Sequence, residues 1–236
     1  MSQATLERPG TVAPVESLGR EAKGSFLIKT YAHLYGAVVV FAAIDYCLFV
    51  TGLAVPIARA MLSTSWLLVL GGFMILSWMA RNLSRPDQPL PIQYGGLLAY
   101  VAGQALMFVP LLFIAEHFAP GAISAAIYAT LIGFLALTAI VALTGQDFSF
   151  LRGALAWGGF VALGVIVCAC LFHMSLGTWF DMAMIGLAGA GILYDTSKVL
   201  RNYGEEGYVS ASLQLFASLA LMLWYVIRLF TGSRRS

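Results

Sequence analysis

Seven apolar runs, most of them long enough to cross a bilayer, constrain the fold of this chain more than any other feature of its sequence. A hydrocarbon core of about 30 Å requires a helix of about 17–25 apolar residues, and a helix satisfies its own backbone hydrogen bonds inside lipid. The runs therefore predict an all-α integral membrane protein with seven transmembrane helices. In chain order, the predicted spans cover residues 31–53, 63–80, 93–115, 123–143, 154–172, 179–196 and 211–230.

The composition excludes most other classes of protein. Hydrophobic residues make up 60% of the chain and charged residues 10%, whereas soluble proteins carry about 25% charged residues. We therefore expect the lipid bilayer as a partner and no nucleic acid. No His and Glu pair at metal-ligand spacing lies within the spans, and no Ser, His and Asp set lies at one depth. An enzyme is accordingly not expected, and no cofactor is predicted.

The distribution of Lys and Arg predicts the orientation of the chain. Nine of them fall in the N-terminal segment and in the loops after spans two, four and six, whereas the loops after spans one, three and five hold only Arg59. Because positive loops stay in the cytoplasm, the N-terminus is predicted to be cytoplasmic. Three parts follow: a polar, disordered cytoplasmic tail (1–28), a membrane domain (29–230) and a short basic tail (231–236). A full seventh span is favoured over a re-entrant segment, although it places the basic tail outside.

Ionisable groups within spans mark the candidate site, because an aspartate at the centre of a membrane helix costs about 2.5–3.5 kcal/mol. Asp195 lies near the cytoplasmic end of span six, just after the small residues 186–191, which favour close helix packing. Arg81 ends span two at the same predicted depth, and Ser218 lies about two turns inside span seven. These three side chains are predicted to meet, either as a structural cluster or on an ion path. Asp45, in the middle of span one, is either a packed carboxyl or part of a proton or cation path, and the sequence leaves open whether it shares a path with Asp195.

Three other polar residues receive structural interpretations. Gln104, in the middle of span three, is interpreted as an interhelical hydrogen-bonding group. Asp181, at the outer end of span six, is interpreted as solvated at the membrane interface. Asp147 is predicted to cap the N-terminus of span five, since a carboxylate accepts hydrogen bonds from the first free amides of a helix.

Several motifs resemble the Bax inhibitor-1 family, also called the transmembrane BAX inhibitor motif family. Residues 192–196 read ILYDT and resemble its signature, and residues 145–151, GQDFSFL, resemble its segment before the fifth span. Residues 212–230 resemble its last helix, and residues 29–36 resemble the start of its first span. The resemblance covers about residues 25–230, with each motif in the expected span.

This resemblance implies a fold in which the last helix runs through the middle of the other six, and a pH-sensitive calcium leak. In characterised members, two aspartates on helices six and seven share a proton and gate the path beside an arginine of helix two. Asp195 matches the first aspartate. The second position falls on Ser218 when counted from Arg228, or on Phe216 when counted from residues 212–213, and neither is acidic. Arg81 lies one residue later than in the family pattern.

Two functions are therefore predicted as alternatives. In the first, Asp195 is the cytoplasmic gate and a weak Ca²⁺ ligand of a low-affinity leak, with Arg81 as its counter-charge and Ca²⁺ as the permeant ion. In the second, the protein does not transport and instead binds a membrane partner. The resemblance implies a membrane-anchored ATP-dependent protease as that partner, with residues 1–28 as the contact. It also implies a bacterial inner membrane as the location.

Overall fold

The structure, a computed structural model, describes residues 19–204 and 206–233 of the 236-residue chain. Within these ranges the chain forms eight α-helices and no β-strand, which confirms the predicted all-α class. The helices are α1 (Arg20–Val50), α2 (Ala54–Ser63), α3 (Trp66–Leu83), α4 (Leu90–Phe118), α5 (Ala122–Thr144), α6 (Leu151–Leu171), α7 (Thr178–Arg201) and α8 (Tyr208–Ser233).

The first helix starts earlier than the apolar pattern predicts. Residues 20–28, assigned from sequence to the polar tail, form the first turns of α1. Phe26 is completely buried in the main core, so packing stabilises these turns although they precede the apolar run. Residues 1–18 of the predicted tail lie outside the described residues. Residues 231–233 of the predicted basic tail belong to α8, and residues 234–236 lie outside the described part of the chain.

A short helix that the sequence did not predict, α2, separates the first two spans. A turn at Gly52, with a φ of 76° that favours glycine, ends the connection from α1. Ala54 and Ala58, one turn apart on α2, then pack against Val109 of α4. Helix α2 has only 10 residues, and its buried residues are two alanines. It is therefore too short to be recognised as an apolar run of bilayer length.

Six of the described helices are long and apolar enough to cross a bilayer: α1, α3, α4, α5, α6 and α8. Helix α7, the predicted sixth span, is also long enough at 24 residues. Its glycines and its charged residues, Asp181 and Asp195 among them, leave it outside this set. The crossing by α7, and with it the count of seven spans, therefore stays a prediction.

Helices α4 and α8 form the inside of the helix assembly. Buried residues make up 61% of the most apolar window of α4 and 50% of that of α8, more than in the other candidate spans. Helix α8 packs against α1, α4, α5 and α7. Helix α3 packs mainly on α4, and α6 packs mainly on α7. Both outer helices also face α8 across an internal cavity.

Helices α3 and α4 approach each other closely at Gly96. A Cβ atom added at Gly96 would lie 2.5 Å from the Ser84 hydroxyl oxygen and 2.7 Å from the Ala80 carbonyl oxygen. The glycines of α7, which predicted close packing there, leave more room: a Cβ at Gly189 would meet its nearest neighbour, Leu137 of α5, at 3.4 Å. Small residues permit close approach, but the partner helix decides where it occurs.

Candidate functional site

A buried carboxylate joins the last two helices. Asp195 of α7 is 3% exposed, and each of its oxygens accepts a hydrogen bond from α8. The Ser218 hydroxyl donates to Oδ2, and the Gln214 amide nitrogen donates to Oδ1 over 3.1 Å. Gln214 and Ser218 are four residues apart, so they lie on one face of α8. The carboxylate is thus held by two neutral donors.

Arg81 of α3 reaches this cluster through Gln214. Its Nη1 donates to the Gln214 side-chain oxygen, while its guanidinium lies over the Tyr100 ring with 5.7 Å between Cζ and the ring centroid. The structure therefore brings together the three residues predicted to meet, Asp195, Ser218 and Arg81. It inserts a glutamine between the arginine and the carboxylate. Arg81 lies in the last turn of its helix, where a positive charge interacts favourably with the helix dipole.

The register of α8 shows which of two positions, Phe216 or Ser218, faces Asp195. Ser218 contacts Asp195, whereas Phe216 packs edge-on against the rings of Phe41 and Tyr100. Two residues along a helix differ by about 200° in direction, so both side chains cannot face the same neighbour. Counting from Arg228 therefore gives the position that faces Asp195.

Gln214 is the member of the cluster that sequence analysis missed. An uncharged amide near the end of a span carries no large insertion penalty, so it did not stand out. A signal was nevertheless available, because Gln214 lies one turn before Ser218 and therefore on the face already predicted to meet Asp195.

A cavity of about 660 Å³ begins at this cluster. Its wall is built from α3, α4, α6, α8, the end of α2 and the segment after α6, and it is mostly apolar. Along α8 the lining residues run from Gln214 to Arg228, a distance of about 21 Å at 1.5 Å per residue. The cavity therefore follows most of the depth of a hydrocarbon core of about 30 Å.

An ion pair lies at the far end of this cavity. Arg228 Nε is 3.2 Å from Asp181 Oδ1, and the Asp181 side chain is 7% exposed. The sequence interpretation of Asp181 as a solvated interfacial group is therefore wrong. Helices α7 and α8 run in opposite directions after a short connection, so the first turn of one meets the last turns of the other. That antiparallel arrangement, together with opposite charges at both positions, could have indicated the pair.

Asp45 lies apart from these groups. It is 6% exposed, and neither of its carboxylate oxygens has a hydrogen-bond partner among the described residues. It belongs to α1, which packs on α4 and α8 but contributes no described residue to the cavity wall. The geometry does not bring Asp45 to the Asp195 cluster, and its assignment to an ion path stays a prediction.

The segment before α6 docks beside Asp195. The Phe148 backbone amide donates to the Ser197 hydroxyl of α7 over 3.1 Å. Asp147 does not cap α6, which begins at Leu151; its carboxylate instead accepts the Ser149 amide over 2.9 Å. This backbone hydrogen bond lowers the pKa of Asp147 below its usual value. The predicted cap is therefore a turn that lies before the helix.

The arrangement around Asp195 offers few ligands for a metal ion. The Ser218 hydroxyl oxygen is hydrogen-bonded to its carboxylate, whereas Gln214 turns its amide nitrogen to Asp195 and its oxygen to Arg81. Ca²⁺ prefers six to eight oxygen ligands. Such a site fits transient contact with a partly hydrated ion better than storage, and the predicted weak ligand role of Asp195 stays a prediction.

Comparisons with known proteins agree with the resemblance seen in the motifs. The family described as Inhibitor of apoptosis-promoting Bax1 matches residues 23–236. The uncharacterized protein PA2604 of Pseudomonas aeruginosa is 31% identical over 109 residues, which is 46% of this chain. The matched region is 49% of that relative, so the chain spans about half the length of the curated relative that it matches. Because the family match covers nearly all of the chain, including α1–α8, the protein belongs to the Bax inhibitor-1 family.

Proposed function

We propose that this protein is a pH-sensitive cation leak, with Ca²⁺ as the permeant ion and Asp195 as its gate. The observation that supports the proposal best is the cavity that runs from the Asp195 cluster to the Arg228–Asp181 pair. Arg81 and Arg228 line the cavity towards its two ends, and a carboxylate lies next to each: Asp195 through Gln214, and Asp181 directly. Ionisable residues inside a membrane protein characteristically mark ion pathways.

Asp195 closes the inner end of this path through its bonds to α8. In the ionised state it accepts hydrogen bonds from Ser218 and Gln214, and Gln214 also accepts from Arg81. Bonds to an ionised group contribute about 1.5–3 kcal/mol each, more than those to a neutral group. Protonation of Asp195 removes that charge, weakens the connection between α7 and α8, and so couples the gate to pH.

Ca²⁺ flux into liposomes tests this proposal. The purified protein should pass Ca²⁺ at a rate that changes across about pH 5 to 8, a range in which buried carboxylates can titrate. Asp195→Asn should abolish the pH response, because an amide does not titrate. Asp87→Asn, a change at an exposed aspartate that pairs with Arg85, is the matched control and should leave the response intact.

Absence of Ca²⁺ flux from the wild-type protein at every pH would contradict the proposed leak. That result would favour the alternative, a non-transporting regulator that binds a membrane-anchored ATP-dependent protease. Co-purification of such a protease, lost on deletion of residues 1–18, would then support the alternative.

We further propose that the protein lies in a bacterial inner membrane with a cytoplasmic N-terminus. The loop bias in Lys and Arg supports this orientation. It places the Asp195 cluster at the cytoplasmic side and the Arg228–Asp181 pair at the outer side.

A further inference from the structure

The cavity combines a mostly apolar wall with a positive charge towards each end. Its charged lining residues within the described part of the chain are two arginines, Arg81 of α3 and Arg228 of α8. Small-molecule sites are typically cavities of about 300–1,000 Å³ with apolar walls and a few polar groups that orient the ligand. At about 660 Å³, this cavity has the size and the lining of a site for a molecule with an apolar body and an acidic end.

The two arginines differ in how their charge is balanced. Arg228 forms an ion pair with Asp181, with 3.2 Å between Nε and Oδ1. Arg81 instead donates to Gln214 and lies over the Tyr100 ring, and both of these partners are uncharged. A guanidinium has five N–H donors, more than these contacts use, and the Arg81 side chain is exposed. Arg81 is therefore the end of the cavity at which an acidic group of a ligand can bind.

The depth of Arg81 suits the headgroup of a lipid. Arg81 lies in the last turn of α3, next to the connection that is predicted to face the cytoplasm. From this end the cavity follows α8 from Gln214 to Arg228 for about 21 Å. Half of a hydrocarbon core of about 30 Å is about 15 Å, the depth of one leaflet. An acyl chain of the same leaflet can therefore lie along the cavity with its headgroup at Arg81.

The packing of the outer helices provides a route from the bilayer into the cavity. Helices α3 and α6 both line it, but α3 packs mainly on α4 and α6 packs mainly on α7. The contacts between α3 and α6 are sparse. The wall between these two helices is therefore the side through which an acyl chain can enter from the surrounding lipid.

We propose that the cavity binds one anionic phospholipid, with its phosphate on Arg81 and one acyl chain along α8. Arginine binds phosphate oxygens through two parallel N–H bonds, and basic pockets between membrane helices on the cytoplasmic side bind anionic headgroups. The apolar wall is covered by the chain, which a free phosphate lacks. This inference goes beyond the proposed leak and does not rest on it. A bound chain would occupy the proposed ion path, so the site is filled only while no ion passes.

Native mass spectrometry of the full-length protein tests the site. The protein is extracted from vesicles of equal parts phosphatidylglycerol and phosphatidylcholine with identical acyl chains. We expect one phosphatidylglycerol per chain to be retained, roughly fivefold in preference to phosphatidylcholine, which is the contribution of about one arginine near a membrane surface. Arg81→Gln should lose this preference. Arg85→Gln is the matched control and should keep it, because Arg85 is exposed, pairs with Asp87 and does not line the cavity.

A second pair of variants tests the position of the acyl chain without changing Arg81. Ala217 of α8 lines the cavity, so Ala217→Leu should fill part of it and lower the retention of phosphatidylglycerol severalfold. Ala136→Leu adds the same volume at an exposed position of α5 that does not line the cavity, and it should change nothing. This pair decides the question even if Arg81→Gln fails to fold. Full retention by Ala217→Leu would overturn the proposed cavity site in favour of a headgroup contact at the surface.

The remaining outcomes identify the ligand. Equal retention of phosphatidylglycerol and phosphatidylcholine by the wild-type protein would overturn the anionic headgroup. Displacement of phosphatidylglycerol by an equal concentration of oleate would overturn the phospholipid in favour of a fatty acid, and displacement by glycerol 3-phosphate would do so in favour of a free phosphate. Because the assay does not measure transport, absence of Ca²⁺ flux contradicts the leak alone, and absence of retained lipid contradicts this site alone.

Discussion

Ser218 donates a hydrogen bond to Asp195 and carries no charge. A carboxylate at position 218 would instead place a second negative charge beside Asp195. Both Asp195 oxygens bond to uncharged side chains, Ser218 and Gln214. Among the described residues, no second carboxylate contacts Asp195 at the inner end of the cavity. Two close carboxylates would behave differently, because they resist ionising together and their titration belongs to the pair.

Restoring an acid at this position should move the pH response. In Ser218→Asp, the like-charge interaction keeps a proton on the pair to higher pH, so the Ca²⁺ flux transition should shift upward by about one pH unit or more. Flux against pH in liposomes measures the shift. Ser218→Ala is the control, since it removes the hydroxyl and adds no titrating group. An unchanged profile for Ser218→Asp would mean that position 218 does not control the charge at Asp195.

At single positions, the sequence was informative where chemistry or helical spacing constrains a residue. The high cost of a membrane aspartate singled out Asp195, and antiparallel geometry placed Arg81 and Ser218 near it. The structure bears out this meeting and adds Gln214. The Gln104 side-chain oxygen has no hydrogen-bond partner among the described residues, and the sequence could not predict this. Whether an amide within a span bonds to a neighbouring helix depends on how the helices pack.

Among the helices, the α3–α4 pair has the least room for change. Gly96 of α4 faces the last turn of α3, where a backbone carbonyl and a Cβ would obstruct any side chain. The same pair carries Arg81, Ser77 and Gln104 into the cavity. The spacing of α3 and α4 therefore fixes how these side chains are placed relative to α8.

Gly96→Ala should destabilise the protein by about 1–3 kcal/mol, the usual cost of overpacking a tight contact. Gly95→Ala is the matched control, because Gly95 is the adjacent residue of the same helix and a Cβ there meets nothing within 4 Å. That variant should be neutral or more stable, since alanine favours a helix over glycine by up to about 1 kcal/mol. Thermal unfolding in detergent measures both. Equal stability of the two variants would show that α3 and α4 are further apart than described.

The sequence predicts the position of a helix well where the bilayer requires an apolar segment. A span must be apolar for about 20 residues, so α3, α4, α5, α6 and α8 coincide closely with the predicted runs. Lipid places no such demand on α2 or on the first turns of α1, which tertiary contacts at Ala54, Ala58 and Phe26 stabilise instead.

For the whole molecule, orientation decides which end of the cavity meets which compartment. The described helices alternate in direction from α3 onward, so the connection after α3 and the Asp195 cluster lie on one side. The segment after α6 and the Arg228–Asp181 pair lie on the other. The charge bias of the loops predicts that the first side faces the cytoplasm.

Single cysteines should report this orientation in intact cells. In a variant without the three native cysteines, Asp87→Cys should be shielded from a membrane-impermeant thiol reagent, whereas Ser175→Cys should react. Both positions are exposed, so access depends on the side of the membrane. Reaction at Asp87→Cys before the membrane is permeabilised would reverse the orientation and place the Asp195 cluster outside.

Polar contacts near both ends of the α7–α8 pair also restrict how this membrane domain can move. Asp195–Ser218 at one end and Asp181–Arg228 at the other fasten the helices at points separated by 14 residues of α7, about 21 Å. Two contacts this far apart oppose both sliding and rotation of one helix against the other, since either motion would distort the hydrogen bond and the ion pair together. While both contacts hold, α7 and α8 therefore form one rigid unit. As long as Asp195 is ionised and both contacts hold, any widening of the cavity must therefore come from the other helices of its wall, such as α3 and α6.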